Sequence, residues 1–290
     1  MDQLTTIFEE HRSRLFQIAY GMLGRVAKAE DAVQEAYLRW QKLDLEQIQN
    51  PAAYLSTIVS RICLDQLKSA KNRREKYVGP DLPEPLLESD KDNPQQQTEL
   101  AESLSMALLV VLEKLTPVQR AVFLLHEVFG YNYSEIAGMI GKSKAHCRKI
   151  GQRARDHIQE GRPRFDTDKE KQEKLLHSFM EAVQHGNIAN LEKMLADDAI
   201  LYSDGGGKVT AARRPIFGAN KIARFMVGIR KQQQDHAVEV EFTEVNGVPG
   251  LVVHIADKLH SVWSFEIADG KVQHIYTVLN PDKLSHLSHT

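Results

Sequence analysis

Apolar residues recur at helical spacing through the first third of the chain. The spacing predicts an amphipathic helix over residues 4–23, which Gly24 ends, and a second helix over residues 27–40. A third helix starts at Pro51 with Asn50 as its cap, and its far end is rich in Lys and Arg. The start of the chain is therefore expected to be all-helical, with a cationic surface that suits phosphates.

The most informative pattern lies in residues 115–158. Thr116 is expected to cap one helix, a short helix follows around residues 134–140, and Gly141 permits a tight turn. Ser143 then caps a third helix that is loaded with cations. A short helix, a glycine turn and a cationic helix are typical of a helix-turn-helix, whose second helix enters the major groove of DNA.

Charge alone would also fit a solvated basic helix on the surface of a bundle. The tight turn, the cap and the short preceding helix favour the helix-turn-helix instead. One local rule is broken by Gly151, which lies inside the third helix, where Gly costs about 1 kcal/mol relative to Ala. The sequence offers no reason for this glycine except a close approach of DNA or partner backbone.

Composition sets the limits of these interpretations. A chain of 290 residues is long enough for two or three domains, and no apolar run approaches the length of a membrane span. The N-terminal stretch lacks the apolar centre of a signal peptide. Cys63 and Cys147 fall on predicted inner helix faces, which fits a reducing cytoplasm and provides no zinc site. The net charge of −2 hides basic blocks at residues 68–76 and 142–164.

Two stretches without helical or strand periodicity divide the chain. Residues 78–98 are rich in Pro, Gln and acidic residues, which indicates a linker, and residues 161–168 mark a second boundary. The acidic linker could compete with DNA, but a plain tether is the simpler interpretation. A helix is predicted between the two, over residues 99–114.

Beyond the second boundary, the pattern changes from helical to alternating. Helices followed by a meander of strands predict an α+β domain with one curved sheet packed by helices. The turns are expected at residues 246–250 and 268–271. The predicted helices span residues 173–185, 188–195 and 219–230, and the predicted strands span residues 199–202, 237–245, 251–255, 260–267 and 272–279.

Several of these segments resemble a known family. GMLGRVAKAEDAVQEAYLRW, NPAAYLSTIVSRICLDQLKSAKNRRE and the helix bearing RAR resemble domains two and four of extracytoplasmic-function RNA polymerase sigma factors. DGGGK, AARRPIFG and NPDKL resemble the SnoaL-like extension of the SigJ-like group. The chain departs from the family at Asp81, where members often have Trp, and at Gly151.

The resemblance implies a multi-domain protein with two all-α sigma domains and a C-terminal α+β SnoaL-like cone. The expected boundaries are residues 1–77 for domain two, 78–98 for the linker, 99–162 for domain four and 169–290 for the regulatory domain. The implied partners are core RNA polymerase, through its beta-prime clamp and beta flap, and promoter DNA. No membrane partner, cofactor or metal is expected, and a small-molecule ligand of the C-terminal domain is left open.

The resemblance also implies roles for particular residues. The polymerase contacts on the second helix are expected to be Glu30, Asp31, Gln34, Glu35 and Trp40. The residues that read and melt the minus ten element are expected to be Tyr54, Arg61, Lys68, Lys71, Arg73 and Arg74, with Trp40 and Tyr54 as candidates for stacking on bases or, equally, for the core. The minus thirty-five element would be contacted by Ser143, Lys144, His146, Arg148, Lys149, Gln152, Arg153 and Arg155, of which the last two are expected to bind phosphates.

A regulatory role is expected for the glycine-rich motif and the C-terminal tail. Both motifs are expected to face outward, and we hypothesise that the tail docks on the linker at residues 78–85 and on domain two. The residues concerned are Asp204, Gly205, Gly206, Gly207, Lys208, Asn280, Pro281, Asp282, Lys283 and Leu284.

Two other functions fit parts of the pattern. The chain could be a one-component regulator whose C-terminal domain senses a ligand, or a SnoaL-like enzyme domain fused to a DNA-binding module. An acid–base site would recruit Tyr202, Asp204, His254, Asp257, Trp263 and Tyr276. Turn and core positions explain these residues more simply, so no catalytic residue is assigned. DGGGK also lacks the spacing of a phosphate-binding P-loop.

Overall fold

The computed structural model describes residues 3–45, 48–70, 77–87, 104–159, 168–234 and 236–287. The chain divides into two compact units. One contains Met1–Lys76 and Leu109–Arg162, and the other contains Tyr77–Leu108 and Pro163–Thr290. Within the described ranges, every helix is too short or too polar to cross a bilayer.

The first unit is helical. Its core forms where α1, α2 and α3 meet, around Phe8, Ile18 and Leu55. The predicted first three helices are confirmed over their described residues, with ends that differ by one residue. The helices are α1 (Gln3–Leu23), α2 (Val26–Trp40), α3 (Pro51–Ala70), α4 (Met106–Leu112), α5 (Pro117–Phe123), α6 (Tyr133–Ile140) and α7 (Lys144–Gln159), with a π-helical turn at Leu124–Val128 after α5. The division between the units falls within α4, after Leu108.

The helix predicted over residues 99–114 is shorter in its described part. Residues 99–103 lie outside the described ranges, and α4 begins at Met106 and ends at Leu112. After the end of α4, the backbone N–H groups of Lys114 and Leu115 donate to the carbonyl oxygens three residues earlier. Thr116 then forms a capping box with Gln119, which starts α5 in a new direction.

The second unit is an α+β domain. One six-stranded sheet has the strand order β2-β1-β6-β5-β4-β3, in which β1 and β6 are parallel and the other neighbours are antiparallel. Its elements are α8 (Lys169–Gln184), α9 (Ile188–Met194), β1 (Leu195–Asp204), β2 (Ile216–Phe217), α10 (Ala219–Gln232), β3 (Val238–Val245), β4 (Val248–Ile255), β5 (Lys258–Ala268), β6 (Lys271–Val278) and α11 (Pro281–Leu284).

The meander is built from two-residue hairpin turns. Asn246-Gly247, Ala256-Asp257 and Asp269-Gly270 all have positive φ at both positions, as type I′ turns require. The five-residue turn predicted at residues 246–250 is therefore wrong, because Asn-Gly completes the turn and β4 already includes Pro249 and Gly250. Gly250 is needed there, since a Cβ would lie 2.5 Å from the Trp263 carbonyl oxygen.

The two faces of the sheet differ in character. Helices α8, α9 and α10 cover one face, where Phe179, Ile222 and Phe265 belong to a continuous apolar core. The neighbouring strand residues Ser264 and Glu266 point to the other face and are also buried. Both faces of the central strands are thus covered.

Tyr77 and the start of the predicted linker, residues 78–87, belong to the second unit and pack within it. Leu82 is 2% exposed, the Leu86 carbonyl accepts a bond from the Asn246 N–H at 2.8 Å, and Leu87 forms a β-bridge with Val245. The plain tether is therefore wrong for this segment, because its apolar residues and backbone groups are satisfied by the sheet domain.

Candidate nucleic-acid interface and tail–linker network

The helix-turn-helix consists of α6, a glycine turn and α7. Asn132 and Glu135 form a capping box at the start of α6, and Gly141 ends it in the left-handed conformation at φ 66°. The Ser143 hydroxyl accepts a bond from the His146 N–H at 3.3 Å, as the cap predicted from the sequence requires. These local signals fix the direction in which α7 leaves the turn.

The two sides of α7 are sharply different. Cys147, Ile150, Ala154 and Ile158 are buried against the rest of the unit, and burial raises the pKa of the Cys147 thiol. Seven of the eight predicted DNA contacts are exposed, and they leave an open, cationic face: Ser143, Lys144, His146, Arg148, Lys149, Gln152 and Arg153.

Arg155 differs from its neighbours on α7. Its guanidinium donates to Glu127 at 2.8 Å, to the Tyr133 hydroxyl at 2.9 Å and to the Gln152 side chain at 2.9 Å. The Glu127 acceptor, followed by Tyr133, raises the pKa of Arg155. A phosphate contact by Arg155 would therefore compete with bonds that join α7 to the preceding helices.

The structure explains why residue 151, inside α7, is a glycine. A Cβ at this position would lie 2.6 Å from the Tyr133 Oη and 3.1 Å from its ring. The glycine lets α7 pass close to Tyr133, whose hydroxyl accepts the bond from Arg155. The close approach is thus within the chain itself, and sequence inspection could not identify Tyr133 as the neighbour.

The candidate minus ten surface lies on α3. Tyr54 is 40% exposed, and together with Arg39, Thr57 and Arg61 it lines a cavity of about 230 Å³. Arg61 also donates to the Met139 and Gly138 carbonyl oxygens at 2.9 Å each, near the end of α6. Lys68 is exposed and pairs with Asp65. Lys71, Arg73 and Arg74 lie outside the described residues.

Trp40 corrects a prediction on α2. It is fully buried, and its indole N–H donates to the Leu4 carbonyl at 2.7 Å, so it is a core residue and presents no surface to polymerase or to a base. Of the two roles that the sequence left open for Trp40, base stacking and core packing, the structure supports core packing.

The other predicted polymerase residues lie towards solvent. Asp31 and Gln34 are exposed, while Glu30 pairs with Arg12 and Glu35 pairs with Arg39. The same face carries Leu38, which is 52% exposed and which the sequence reasoning missed. Its position seven residues after Asp31 places it on that helix face.

A buried charge network joins the C-terminal tail to the linker. The Lys283 ammonium donates to Asp204, to the Leu82 carbonyl and to Asp81, the last at 2.6 Å. The side chains of Lys283 and Asp204 are 4% and 0% exposed. The expectation that both motifs face outward is therefore wrong at these two residues. Asp81, the departure from the family pattern, supplies a second carboxylate to the same lysine.

Tyr77 and Asn280 extend this network. The Tyr77 hydroxyl donates to Asp204 at 2.6 Å and accepts a bond from the Asn280 amide at 2.8 Å. The Leu82 N–H donates to the other Asp204 oxygen at 2.9 Å. Burial, followed by the bond to the Asp204 carboxylate, raises the pKa of Tyr77 well above its ordinary value. Tyr77 therefore stays a neutral donor across the physiological pH range.

The glycine-rich motif fits closely around the same residues. Gly206 and Gly207 both have positive φ, at 59° and 73°. A Cβ on Gly206 would overlap the Asn280 amide, and one on Gly207 would lie 3.2 Å from the Val78 side chain. The predicted close approach by these glycines is thus an approach to the tail and the linker. A Cβ on Gly205 would lie 2.7 Å from both the Val209 carbonyl oxygen and the Ala211 Cβ.

The rest of the tail is partly exposed. Asn280 caps the short helix α11 and Pro281 occupies its first position, while Leu284 is buried. Asp282 pairs with Lys208 at 2.6 Å, and both side chains are more than half exposed. Beyond α11, His286 hydrogen-bonds the Pro85 carbonyl at 2.8 Å. All ten predicted regulatory residues thus lie near the contact between motif, tail and linker.

The residues of the alternative acid–base site are not brought together. Asp204 is enclosed by the tail–linker network, whereas His254 and Asp257 lie by Glu239 and Glu241 in an open surface depression. Tyr202 stacks on Tyr276 with ring centroids 5.4 Å apart, and burial raises the pKa of both phenols. Trp263 packs against the apolar core on the helix-covered face. The described residues include no cluster of three metal-ligating side chains.

Comparison with known proteins agrees with this arrangement. Family models match at residues 7–73 (Sigma-70 region 2) and residues 105–158 (Sigma-70, region 4). The ECF RNA polymerase sigma factor SigJ of Mycobacterium tuberculosis (strain ATCC 25618 / H37Rv) is 35% identical over 96% of this chain and 92% of its own length. The probable ECF RNA polymerase sigma factor SigI of the same strain is 29% identical over 99% of this chain and 96% of its own length.

The structural comparison covers both units. The crystal structure of the Mycobacterium tuberculosis extracytoplasmic function sigma factor SigJ is similar with a TM-score of 0.79 and 31% sequence identity, and the match covers 97% of this chain and 98% of that one. The helical unit, the curved sheet and the sequence relationship together show that the chain belongs to the extracytoplasmic-function family of RNA polymerase sigma factors.

Proposed function

We propose that this chain binds core RNA polymerase and directs it to specific promoters, where transcription starts. The observation that carries the proposal is the exposed cationic face of α7, presented by a capped helix-turn-helix. Arg148, Lys149 and Gln152 are proposed to contact bases of the minus thirty-five element, because Arg, Lys and Gln side chains pair with base edges in the major groove. Arg153 is proposed to contact phosphates. A chain with this role acts where the chromosome is, in the cytoplasm.

The cavity on α3 supports a role at the minus ten element. A cavity of about 230 Å³ with an exposed aromatic ring and two arginines suits one unstacked base beside its phosphate. Stacking of a base on an aromatic side chain is worth roughly 1–3 kcal/mol. We propose that Tyr54 supplies this contact and that Arg61 and Arg39 neutralise the neighbouring phosphates.

The polymerase contact is proposed to lie on the outer face of α2. Asp31, Gln34 and Leu38 form a polar surface with an apolar centre, a composition that is common at protein interfaces. The beta-prime clamp is the proposed partner of this face, and the beta flap that of region 4.

The experiment is reconstitution with core RNA polymerase. The purified chain should co-elute with core enzyme on gel filtration and should support run-off transcription from a cognate promoter. A variant with Arg148→Ala and Lys149→Ala should still co-elute but should lose promoter-directed transcription. Failure of the wild-type chain to co-elute would contradict the proposed function, and a variant that transcribes normally would remove α7 from promoter recognition.

We further propose that the C-terminal domain regulates the sigma regions from within the same chain. The tail–linker network holds Tyr77, Asp81 and Leu82 against the sheet domain through Lys283, Asn280 and Asp204. This linker connects regions 2 and 4 in the sequence. Its docking on the sheet domain therefore restricts the conformations that the linker can adopt. A change in docking would therefore shift the fraction of molecules that are competent for promoter binding.

Regions 2 and 4 also contact each other within the helical unit. Ser56 and Tyr131 share a hydrogen bond of 2.7 Å, the buried Arg120 donates to the Met22 carbonyl, and Arg61 donates to the end of α6. The centres of the two promoter elements lie about 25 base pairs apart, roughly 85 Å at 3.4 Å per base pair. We therefore propose that these contacts open when both elements are bound, which releases Arg61 for DNA.

For the sheet domain, we propose a role without catalysis. The helix-covered face is filled by apolar side chains such as Leu201, Leu251 and Ile275, where a reaction would need polar groups. A ligand-sensing repressor remains the competing class, and polymerase binding separates the two, since a repressor does not need core enzyme to act. Turnover of any small molecule by the purified chain would overturn the proposal.

A further inference from the structure

A cavity of about 300 Å³ lies between the linker and the loop that follows β1. One wall is formed by Val78 and Gly79 of the linker, and the other by Ser203, Gly205 and residues 207–213. The linker backbone approaches the loop closely here, since a Cβ on Gly79 would lie 3.8 Å from the Arg213 Cα. All residues that line this cavity belong to the second unit, and the contacts of Lys283 do not use it.

The charges around the cavity have one sign. Lys208 and Arg213 are its ionisable lining residues, and both are cationic. Asp204 is the nearest acidic neighbour in sequence, but it is fully buried and its oxygens accept bonds from Lys283, Tyr77 and backbone N–H groups. The cavity therefore presents positive charge with no lining carboxylate among the described residues.

Hydrogen-bond donors in the wall are unused. Ser203 is 4% exposed, lines the cavity, and its hydroxyl has no hydrogen-bond partner among the described residues. Because Ser203 lines the cavity, its hydroxyl is available to a molecule bound there. The exposed Arg213 guanidinium and the Thr210 hydroxyl likewise make no hydrogen bond or ion pair with the described part of the chain. Lys208 pairs with Asp282 at the surface. An exposed ion pair is weak, so a bound ligand can replace Asp282 as the partner of Lys208.

We propose that this cavity binds the phosphate group of a small phosphorylated metabolite. A guanidinium, an ammonium and two hydroxyls are the donors that a phosphate monoester accepts from, and Arg pairs with phosphate through two parallel bonds. The volume is at the lower end of the range for small-molecule sites, so the class is a small phosphomonoester and not a nucleotide.

Binding here would stabilise the docked linker. Val78 and Gly79 form one wall, so a ligand that needs this wall binds the docked linker in preference to a released one. Its stabilising effect then grows with the ratio of ligand concentration to Kd. The effect on transcription rests on the proposed in-cis regulation, whereas the binding itself does not.

Calorimetric titration of the full-length chain tests the site, with inorganic phosphate and glycerol 3-phosphate as the probes. Ionic strength is held constant with chloride. The expected result is saturable binding with one site per chain, weakened at least tenfold by Arg213→Ala. Arg214→Ala is the matched control, because it removes the same charge from the next residue, which is also exposed but does not line the cavity. It should change Kd less than twofold, and Ser203→Ala should weaken binding several-fold.

Absence of saturable binding, or equal losses in the Arg213 and Arg214 variants, would overturn the proposal. Displacement of phosphate by duplex DNA, with loss of that competition in the Arg213 variant, would assign the cavity to a DNA phosphate and would also overturn it. Hydrogen exchange gives a second measurement, in which phosphate should slow the amides of residues 78–82 in the wild type and not in Arg213→Ala. Binding without any effect on transcription would support the site and contradict the in-cis regulation.

Discussion

The recognition helix and the tail–linker network both carry clusters of charge, but the structure uses the charges in opposite ways. On α7 every cation except Arg155 is exposed, and among the described residues Arg155 is the α7 cation that forms an ion pair with the rest of the unit. In the network, Lys283 and Asp204 are almost completely buried and satisfied by several partners. Charged side chains that bind another molecule stay hydrated in the free protein. Charged side chains that hold two segments of the chain together are desolvated, and each depends on its partner. Five substitutions, each with a matched control or partner variant, test the roles of these regions and of the α2 face.

The largest effect is expected from Lys283→Met. Removing one partner of a buried pair leaves an uncompensated charge, which costs about 3–5 kcal/mol. The amides of residues 77–87 should lose protection against hydrogen exchange. The control is Asp282→Asn, which breaks the exposed pair with Lys208 between the same two segments and should cost at most about 1 kcal/mol. Equal and small effects of the two variants would show that the network does not hold the linker.

The next effect is expected from Gly151→Ala on the recognition helix. Alanine favours a helix by about 1 kcal/mol, but its methyl group would displace Tyr133, and such overpacking costs about 1–3 kcal/mol. Urea unfolding should show a net loss of stability. Gly138→Ala in α6 is the control, since a Cβ there meets nothing within 4 Å, and it should stabilise the protein. A stabilising Gly151→Ala would refute the proposed role of Tyr133.

Arg148 and Arg155 separate base reading from support within α7. Arg148→Ala should relax specificity for the minus thirty-five element, at a cost of about 1–3 kcal/mol if the contact with a base is bidentate. Arg155→Ala should weaken binding to all sequences and lower the stability of the domain, because it breaks the bonds to Glu127 and Tyr133. Footprinting, salt titration and thermal unfolding measure these effects. Equal, sequence-independent losses would remove base reading from Arg148.

The smallest effect on stability is expected from Leu38→Ser. The side chain is half-exposed, so stability should change by no more than about 0.5 kcal/mol. The affinity for core RNA polymerase should nevertheless fall several-fold, since an apolar contact at the centre of the proposed interface is lost. Val209→Ser, which removes a comparably exposed apolar side chain from the other unit, should leave this affinity unchanged. Unchanged affinity of the Leu38 variant would exclude this face.

Local signals account for what could be predicted from the sequence. Some signals act within a few residues, and their structural effects can therefore be predicted from the sequence. Examples are the capping residues, the left-handed Gly141 and the Asn246-Gly247 turn. Amphipathic spacing likewise located the inner side of α7, including Cys147 and Ile150.

Contacts between distant segments account for what was missed. Lys283 and Asp81 are about two hundred positions apart, and no periodicity shows that they meet. The sequence left a surface role and a core role open for Trp40, because its acceptor, the Leu4 carbonyl, lies on another helix. Gly151 is explained by Tyr133, and the linker by a sheet that lies far beyond it in the sequence. Burial is a tertiary property, and it decided the role of each of these residues.

The most direct test of in-cis regulation is promoter-directed transcription by three proteins at equal folded concentration. These are the full chain, a truncation before Asn280 and a truncation after Pro163. Because the network needs Asn280 and Lys283, both truncations should change transcription from the full-length level in the same direction. Identical activity of all three proteins would contradict the account and would leave the sheet domain without influence on the sigma regions.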